Sequence, residues 1–257
     1  MKKILISALF FLAGCSTFPH PDNMEFRGLK TDDFKLATWE RESQKGKPLH
    51  IYIEGDGYAW RTPYLPSSDP TPRRQMLLKL AQKDDAANVV YLARPCQYVW
   101  TQDKCDVPYW TDARYAPEVV SAMQDAAQYY INKTKTTDVT LIGYSGGATV
   151  AAALSVRLPH VKKLITIAGV LDQKAWTAYH DDSPLTRSID ADSYRKQIAA
   201  VPQRHYAGAK DDVVPPVLIQ NFVDSLQNPA DAMVVILPDA THAKGWTPAR
   251  LNFMKEE

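Results

Sequence analysis

Three residue types that together perform acyl transfer occur in one order along the chain: Ser145, then the adjacent pair Asp211 and Asp212, then His242. Ser145 is the centre of Gly143-Tyr144-Ser145-Gly146-Gly147, entered by the apolar run Val139 to Ile142 and left through an alanine-rich stretch. A serine hydroxyl is a weak nucleophile until a base takes its proton. A tight turn between a strand and a helix lifts such a hydroxyl clear of the backbone, but only if the residues two before and two after it are small. Gly143 and Gly147 meet that condition. The same turn aims the N–H of Gly146, at a helix N-terminus, toward an oxyanion forming on the substrate.

The acid and the base are expected downstream. Gly208-Ala209-Lys210-Asp211-Asp212-Val213-Val214-Pro215 follows a short strand, and a carboxylate on such a loop is able to hold an imidazole in its productive tautomer. Asp211, third after the glycine, is preferred; Asp212 would point away if its neighbour points in, and reads as a turn or helix cap. His242 follows the apolar run Met233 to Leu237 by a short loop, the station of a general base. Among the other histidines, His20 and His160 stand in connections, and His50 and His205 fall within strands. His180 lies in a polar, aromatic stretch where it would border a substrate. A second oxyanion donor is expected in Glu54-Gly55-Asp56-Gly57, at Asp56 or Gly57, because glycines allow a backbone nest. A carboxylate beside an oxyanion is unfavourable, so the Asp56 side chain must turn away or meet a cation such as Arg61 or Arg94.

These residues need a frame to converge. Strands are expected at Phe34–Glu40, Leu49–Ile53, Asn88–Leu92, Val139–Ile142, Leu164–Ala168, His205–Ala207 and Met233–Leu237. Helical spacing of apolar residues runs through Arg73–Gln82, from Pro117 past Tyr130, Ala148–Leu158 and Pro216–Leu226. Nearly continuous apolar strands alternating with helices predict an α/β fold, a mostly parallel doubly wound sheet with helices on both faces. Residues 171–202 are long, polar and aromatic between two strands, and read as a small cap-like insertion. Loop aromatics Trp60, Tyr64, Tyr98, Trp100, Trp110, Trp176 and Tyr179 suggest an aromatic rim.

Composition narrows the class. The chain has 257 residues, 45% of them hydrophobic, and a net charge of +1, with no basic stripe of the kind nucleic-acid binding requires. Lys2 and Lys3 precede an apolar run, Ile4 to Ala13, too short to span a bilayer comfortably. That run ends in Leu12-Ala13-Gly14-Cys15-Ser16, which resembles the lipobox of bacterial lipoproteins. The resemblance implies a lipoprotein signal peptide over 1–14, a lipidated Cys15 carrying palmitate-like chains, and a membrane anchor, with Ser16 pointing to the outer membrane and its periplasmic side. Residues 15–33 read as a tether and 34–257 as the folded domain. In an exported protein, the two remaining cysteines, Cys96 and Cys105, read as a disulfide closing a short loop. They have no cluster of metal ligands around them, so no metal site is expected.

With Tyr52-Ile53-Glu54-Gly55-Asp56-Gly57, Asp69-Pro70-Thr71-Pro72, Arg94-Pro95-Cys96-Gln97-Tyr98, Trp176-Thr177 and Ser183-Pro184-Leu185 beside the Ser145 pentapeptide, the chain resembles α/β-hydrolase-fold serine hydrolases. More narrowly, it is similar to bacterial α/β-hydrolase lipoproteins of undefined substrate. That resemblance implies the α/β-hydrolase fold, a Ser145–Asp211–His242 triad and no cofactor. It places Glu54 where the fold often carries a histidine. The activity it implies is hydrolysis of a small-molecule or lipid ester of carboxylesterase or lipase type. A peptidase or amidase, or a binding lipoprotein without turnover, is the alternative.

Overall fold

The computed structural model describes residues 18–42, 44–99 and 104–255; the expected signal segment, Cys15 and Trp100 lie outside them. In chain order the strands are β1 (Glu25–Lys30), β2 (Lys35–Glu42), β3 (Leu49–Ile53), β4 (Trp60–Thr62), β5 (Leu65–Pro66), β6 (Asn88–Leu92), β7 (Val139–Tyr144), β8 (Val161–Ile167), β9 (Gln203–Gly208) and β10 (Ala232–Leu237). The helices are α1 (Met76–Ala81), α2 (Pro117–Thr134), α3 (Gly147–Ser155), α4 (Gln173–Tyr179), α5 (Arg195–Ile198) and α6 (Pro216–Asp224). One sheet runs β1-β2-β6-β3-β7-β8-β9-β10, and β4 and β5 form a separate hairpin. From β6 to β10 across that sheet every pairing is parallel, while β1 and β2 add an antiparallel edge.

The apolar alternation of the central strands explains the layers. On β3, Ile51 and Ile53 enter the core on one face and Tyr52 enters the core on the other; Leu141 and Ile142 of β7 divide in the same way. Helix α2 starts at Pro117, where a missing N–H costs nothing, and packs Val119, Val120, Met123, Ala127 and Tyr130 against the first face. Helix α3 lies on that face too, buried along its whole length. The opposite face is covered by Leu77, Leu78 and Leu80 from α1 and by Trp246, Leu251 and Phe253 near the C-terminus. The α/β-hydrolase architecture read from the sequence is the one observed.

One boundary differs. The tether expected over 15–33 contains strand β1, antiparallel to β2, with Met24 buried and the Phe18 ring 5.3 Å from that of Trp39. The polar character that resembles a loose arm belongs to an edge strand with one face in water; Arg27 there donates to Glu40 at 2.8 Å. Between β8 and β9, the insertion over 171–202 holds α4 and α5. Cys96 and Cys105 are disulfide-bonded, their Cα atoms 5.4 Å apart, and closing so short a loop stabilises the fold by about 2–3 kcal/mol.

In a sheet of this kind the loops after the parallel strands share one rim, and ligands bind there. Residues 54–57 follow β3, Arg94 follows β6, Ser145 follows β7, Asp211 follows β9 and His242 follows β10. The topology alone brings all of them to one edge.

Candidate active site

Ser145 has φ 50°, in the left-handed region that a side-chain-bearing residue rarely occupies. The turn is held in that shape by its own backbone: Ser145 N–H donates to Ile167 O at 3.0 Å, and its carbonyl accepts from Ala148 and Val170 at 3.1 and 3.0 Å. Two glycines make the approach feasible. A Cβ on Gly143 would lie 2.6 Å from Ala148 Cα, and one on Gly147 would lie 2.3 Å from Ile53 O. Both contacts are with backbone, so neither position can yield.

The structure brings Ser145, His242 and Asp211 into one hydrogen-bonded line. Ser145 Oγ lies 3.0 Å from His242 Nε2, and His242 Nδ1 lies 3.0 Å from Asp211 Oδ2. The tautomer these partners require carries its proton on Nδ1, donated to the carboxylate, which leaves Nε2 to accept from the serine hydroxyl. The other Asp211 oxygen accepts from the N–H groups of Val213 and Val214 at 2.9 and 2.8 Å, so the buried carboxylate is fully engaged. Asp212 is exposed, and His242 pairs with Asp211 instead. The His242 loop is clamped at its carbonyl, which accepts from Tyr144 Oη and Trp246 Nε1, each at 3.0 Å. A serine so placed is able to pass its proton to the ring as it attacks a carbonyl, with the carboxylate stabilising the imidazolium that forms.

The loop after β3 lies against the serine: a Cβ on Gly55 would come 3.0 Å from Ser145 Cβ. Among the described residues, the amide N–H groups of Asp56, Gly57 and Gly146 meet no acceptor. Gly57, at φ 68°, passes so close to Pro70 that a Cβ would lie 2.0 Å from its carbonyl oxygen. The Asp56 carboxylate meets two cations, Arg114 Nη1 at 2.8 Å and Arg94 Nη1 at 3.4 Å, and accepts from Tyr115 Oη at 3.3 Å. Burial raises the Asp56 carboxyl, but Arg114 and Arg94 outweigh that and hold it below its ordinary value. Of the two cations the sequence suggests, Arg94 meets Asp56 and Arg61 does not; Arg114, which no sequence pattern points to, supplies the second charge. Arg114 is 58 residues from Asp56 in the chain, and no local pattern links them.

Glu54, in the histidine's usual place, is buried beneath this loop. It accepts from Gly55 N–H at 2.8 Å and from Tyr91 Oη at 2.7 Å. Burial pushes its carboxyl up from 4.5 to about 7, against the pull of those bonds and of Arg94. Between those two values the folded chain keeps a proton that the unfolded chain has released, so stability falls as pH rises through that window. Glu54→Gln is expected to remove this slope, which amounts to on the order of 3 kcal/mol between about pH 4.5 and 7. Urea unfolding of both proteins across that range checks it; an unchanged slope in the variant would refute the assignment.

The remaining histidines fall elsewhere. His205 is wholly buried, held neutral by that burial with a value lowered to about 3, and bonded to Thr166 at 2.8 Å and Gln203 at 3.2 Å. His50 pairs with Asp84 at 2.6 Å. His180, at the C-terminal cap of α4, donates to Val213 O at 2.8 Å, as does Trp176 within α4 at 2.7 Å, so this end of α4 braces the acid loop. A cavity of about 700 Å³ opens over Ser145 and His242. Of the aromatics expected at its rim, Trp60 and Trp176 line it. Trp110 instead is buried and donates to Ser67 O, Tyr98 packs on Trp39, and Tyr64 stands in solvent. Among the described residues, no group of three His, Cys, Asp or Glu side chains is gathered to hold a metal.

Comparison with known proteins bears on the family and the fold. A family model described as Serine hydrolase (FSH1) matches residues 70–242, more than half of the chain. No curated protein matches the sequence. Among solved structures, an alpha-beta serine hydrolase homologue from Coxiella burnetii superposes with TM-score 0.58 at 16% identity, covering 88% of this chain and 92% of that one. An esterase from Pyrococcus furiosus gives 0.60 at 15% identity, with 85% and 82% covered. An acylaminoacyl peptidase from Pyrococcus horikoshii gives 0.61 at 13% identity, over 91% of this chain but 40% of that one. At such identities these neighbours share the fold.

Proposed function

Because the chain belongs to the Serine hydrolase (FSH1) family, we propose that it cleaves carboxylic esters through an acyl-enzyme formed on Ser145. The observation that carries the reading is the line of two 3.0 Å contacts from Ser145 through His242 to Asp211. In this reading His242 takes the Ser145 proton as Oγ attacks the ester carbonyl. The tetrahedral oxyanion is met by the N–H of Gly146 and by that of Asp56 or Gly57, groups that spend no hydrogen bond elsewhere among the described residues. Collapse expels the alcohol, which takes its proton from His242, and water then attacks the acyl-serine by the same route in reverse. The Asp56 carboxylate does not oppose the oxyanion, because Arg94 and Arg114 neutralise it. No step needs a cofactor.

The experiment is covalent labelling of the folded protein with a neutral fluorophosphonate, followed by turnover of p-nitrophenyl esters of graded chain length beside matched amides. Labelling with ester turnover is the expected result. Labelling with preferential amide cleavage would make the protein a peptidase or amidase, and absence of labelling would leave a binding protein. The proposal also places the protein in the bacterial envelope, anchored at the outer membrane by lipid on Cys15, on the strength of Leu12-Ala13-Gly14-Cys15. Labelled palmitate fed to expressing bacteria is expected to enter the wild type and not Cys15→Ser; equal incorporation would overturn the anchor.

A further inference from the structure

The hydrolase reading leaves the substrate open, and the charges around the cavity narrow it. Arg73, Arg74 and Arg114 line the cavity with Glu54 and Asp56. Asp56 is already held by Arg114 and Arg94, and Glu54 is spent on Tyr91 and Gly55 in a buried site that favours its neutral form. No acid is left for Arg73 and Arg74: among the described residues neither forms an ion pair. Both are exposed to solvent, yet both line the cavity, so its wall presents two adjacent positive charges to whatever enters.

Their placement is built. The Arg73 guanidinium lies 3.4 Å over the centre of the Tyr58 ring, itself part of the cavity lining. Tyr58 N–H donates to Pro70 O at 2.9 Å, which ties the arginine loop to the loop carrying Asp56, and Thr71 Oγ1 accepts from Tyr98 N–H at 2.7 Å, which ties it to the loop after β6. A second concavity of about 440 Å³ continues the first through Arg74, Met76 and Ala243, and adds Lys79, Lys83 and Trp246. Lys79 and Lys83 are exposed and also make no ion pair among the described residues.

The direction of this track matters. His242 must give its proton to the departing alcohol, so the alcohol lies on the His242 side of the scissile bond. Ala243, next to His242, is where the two concavities meet. We propose that the substrate is an ester whose alcohol portion carries a phosphate, held by Arg73 and Arg74 and guided along the groove beyond them. Phosphate suits the track because several separated cations have several oxygens to meet, and guanidinium groups bind it through paired N–H bonds. This deepens the hydrolase reading and rests on it.

The test compares 1-acyl-glycerol 3-phosphate with the uncharged 1-monoacylglycerol of the same chain, each as butyryl and oleoyl esters, reading fatty-acid release. The phosphate ester is expected to show kcat/KM about tenfold or more above its neutral counterpart, since a hydrogen bond to a charged group is commonly worth that factor. In Arg73→Gln/Arg74→Gln that preference is expected to collapse, with the phosphate ester losing about tenfold more than the neutral one, and added salt is expected to narrow it in the wild type. Lys79→Gln/Lys83→Gln should reduce the preference in part. A preference with butyryl esters points to a soluble phosphate ester, and one confined to oleoyl esters to a lipid headgroup; either supports the proposal. Equal kcat/KM for charged and neutral esters, or equal losses in the variant, would overturn it. Neutral fluorophosphonate labelling separates the two levels: labelling without a phosphate preference sinks this inference alone, and no labelling sinks both.

Discussion

Ser145→Ala is expected to abolish fluorophosphonate capture and to lower ester turnover by about 10⁴–10⁶-fold, while the protein stays folded. The loss is large because the serine, His242 and Asp211 act as one unit, so that removing the nucleophile leaves the other two with nothing to activate. Stability should barely move, since alanine has the same Cβ in the same left-handed conformation, φ 50°. Ser145→Gly is equally inactive by this argument but should gain about 1 kcal/mol, because glycine adopts that conformation without strain. The pair therefore separates chemistry from folding in two measurements, labelling and urea unfolding. Wild-type labelling in Ser145→Ala would put the nucleophile elsewhere and end the reading.

Asp56→Asn carries the largest expected effect on stability. Arg94 and Arg114 are 4% and 7% exposed, and Asp56 is the carboxylate that answers both. Arg94 also donates to the Arg114 carbonyl and packs its guanidinium 5.1 Å from the Tyr115 ring centre, yet among the described residues its Nε meets no partner. Removing the negative charge leaves two guanidiniums in a buried site with no counter-ion, which typically costs about 3–5 kcal/mol. That figure measures the charge left behind rather than the worth of the ion pairs. Asp212→Asn, one residue beyond the acid that reaches His242 and exposed, is expected to stay within about 0.5 kcal/mol and serves as the control. Urea midpoints of the two variants decide it; a loss below about 1 kcal/mol for Asp56→Asn would mean that water already reaches the arginines.

The central strands were legible because each is a short apolar run bounded by turn residues. Ile51 and Ile53 enter one core and Tyr52 between them enters the other, as successive residues of a strand must. Strand β1 was not legible. An edge strand with one wet face alternates weakly, and Glu25–Lys30 reads as polar until β2 is beside it. The aromatic residues were a similar case. Trp110, Tyr98 and Trp60 all read from sequence as loop aromatics, but only packing shows that the first two support the fold and that Trp60, in β4, faces the cavity.

The candidate site divides along the same line. Ser145, Asp211 and His242 could be named from sequence because each demand on them is local: small residues flanking a tight turn, an acid at a set distance past a glycine, a histidine after the last strand. The family to which the chain belongs could be read from the same residues. What the tertiary structure decided was electrostatic. It placed Arg114 and Arg94 on Asp56, buried Glu54 far enough to favour its proton, and left Arg73 and Arg74 at the cavity with no ion pair among the described residues. Charge pairing depends on distance through space and on exclusion of water, and neither quantity is written in the spacing of residues along a chain.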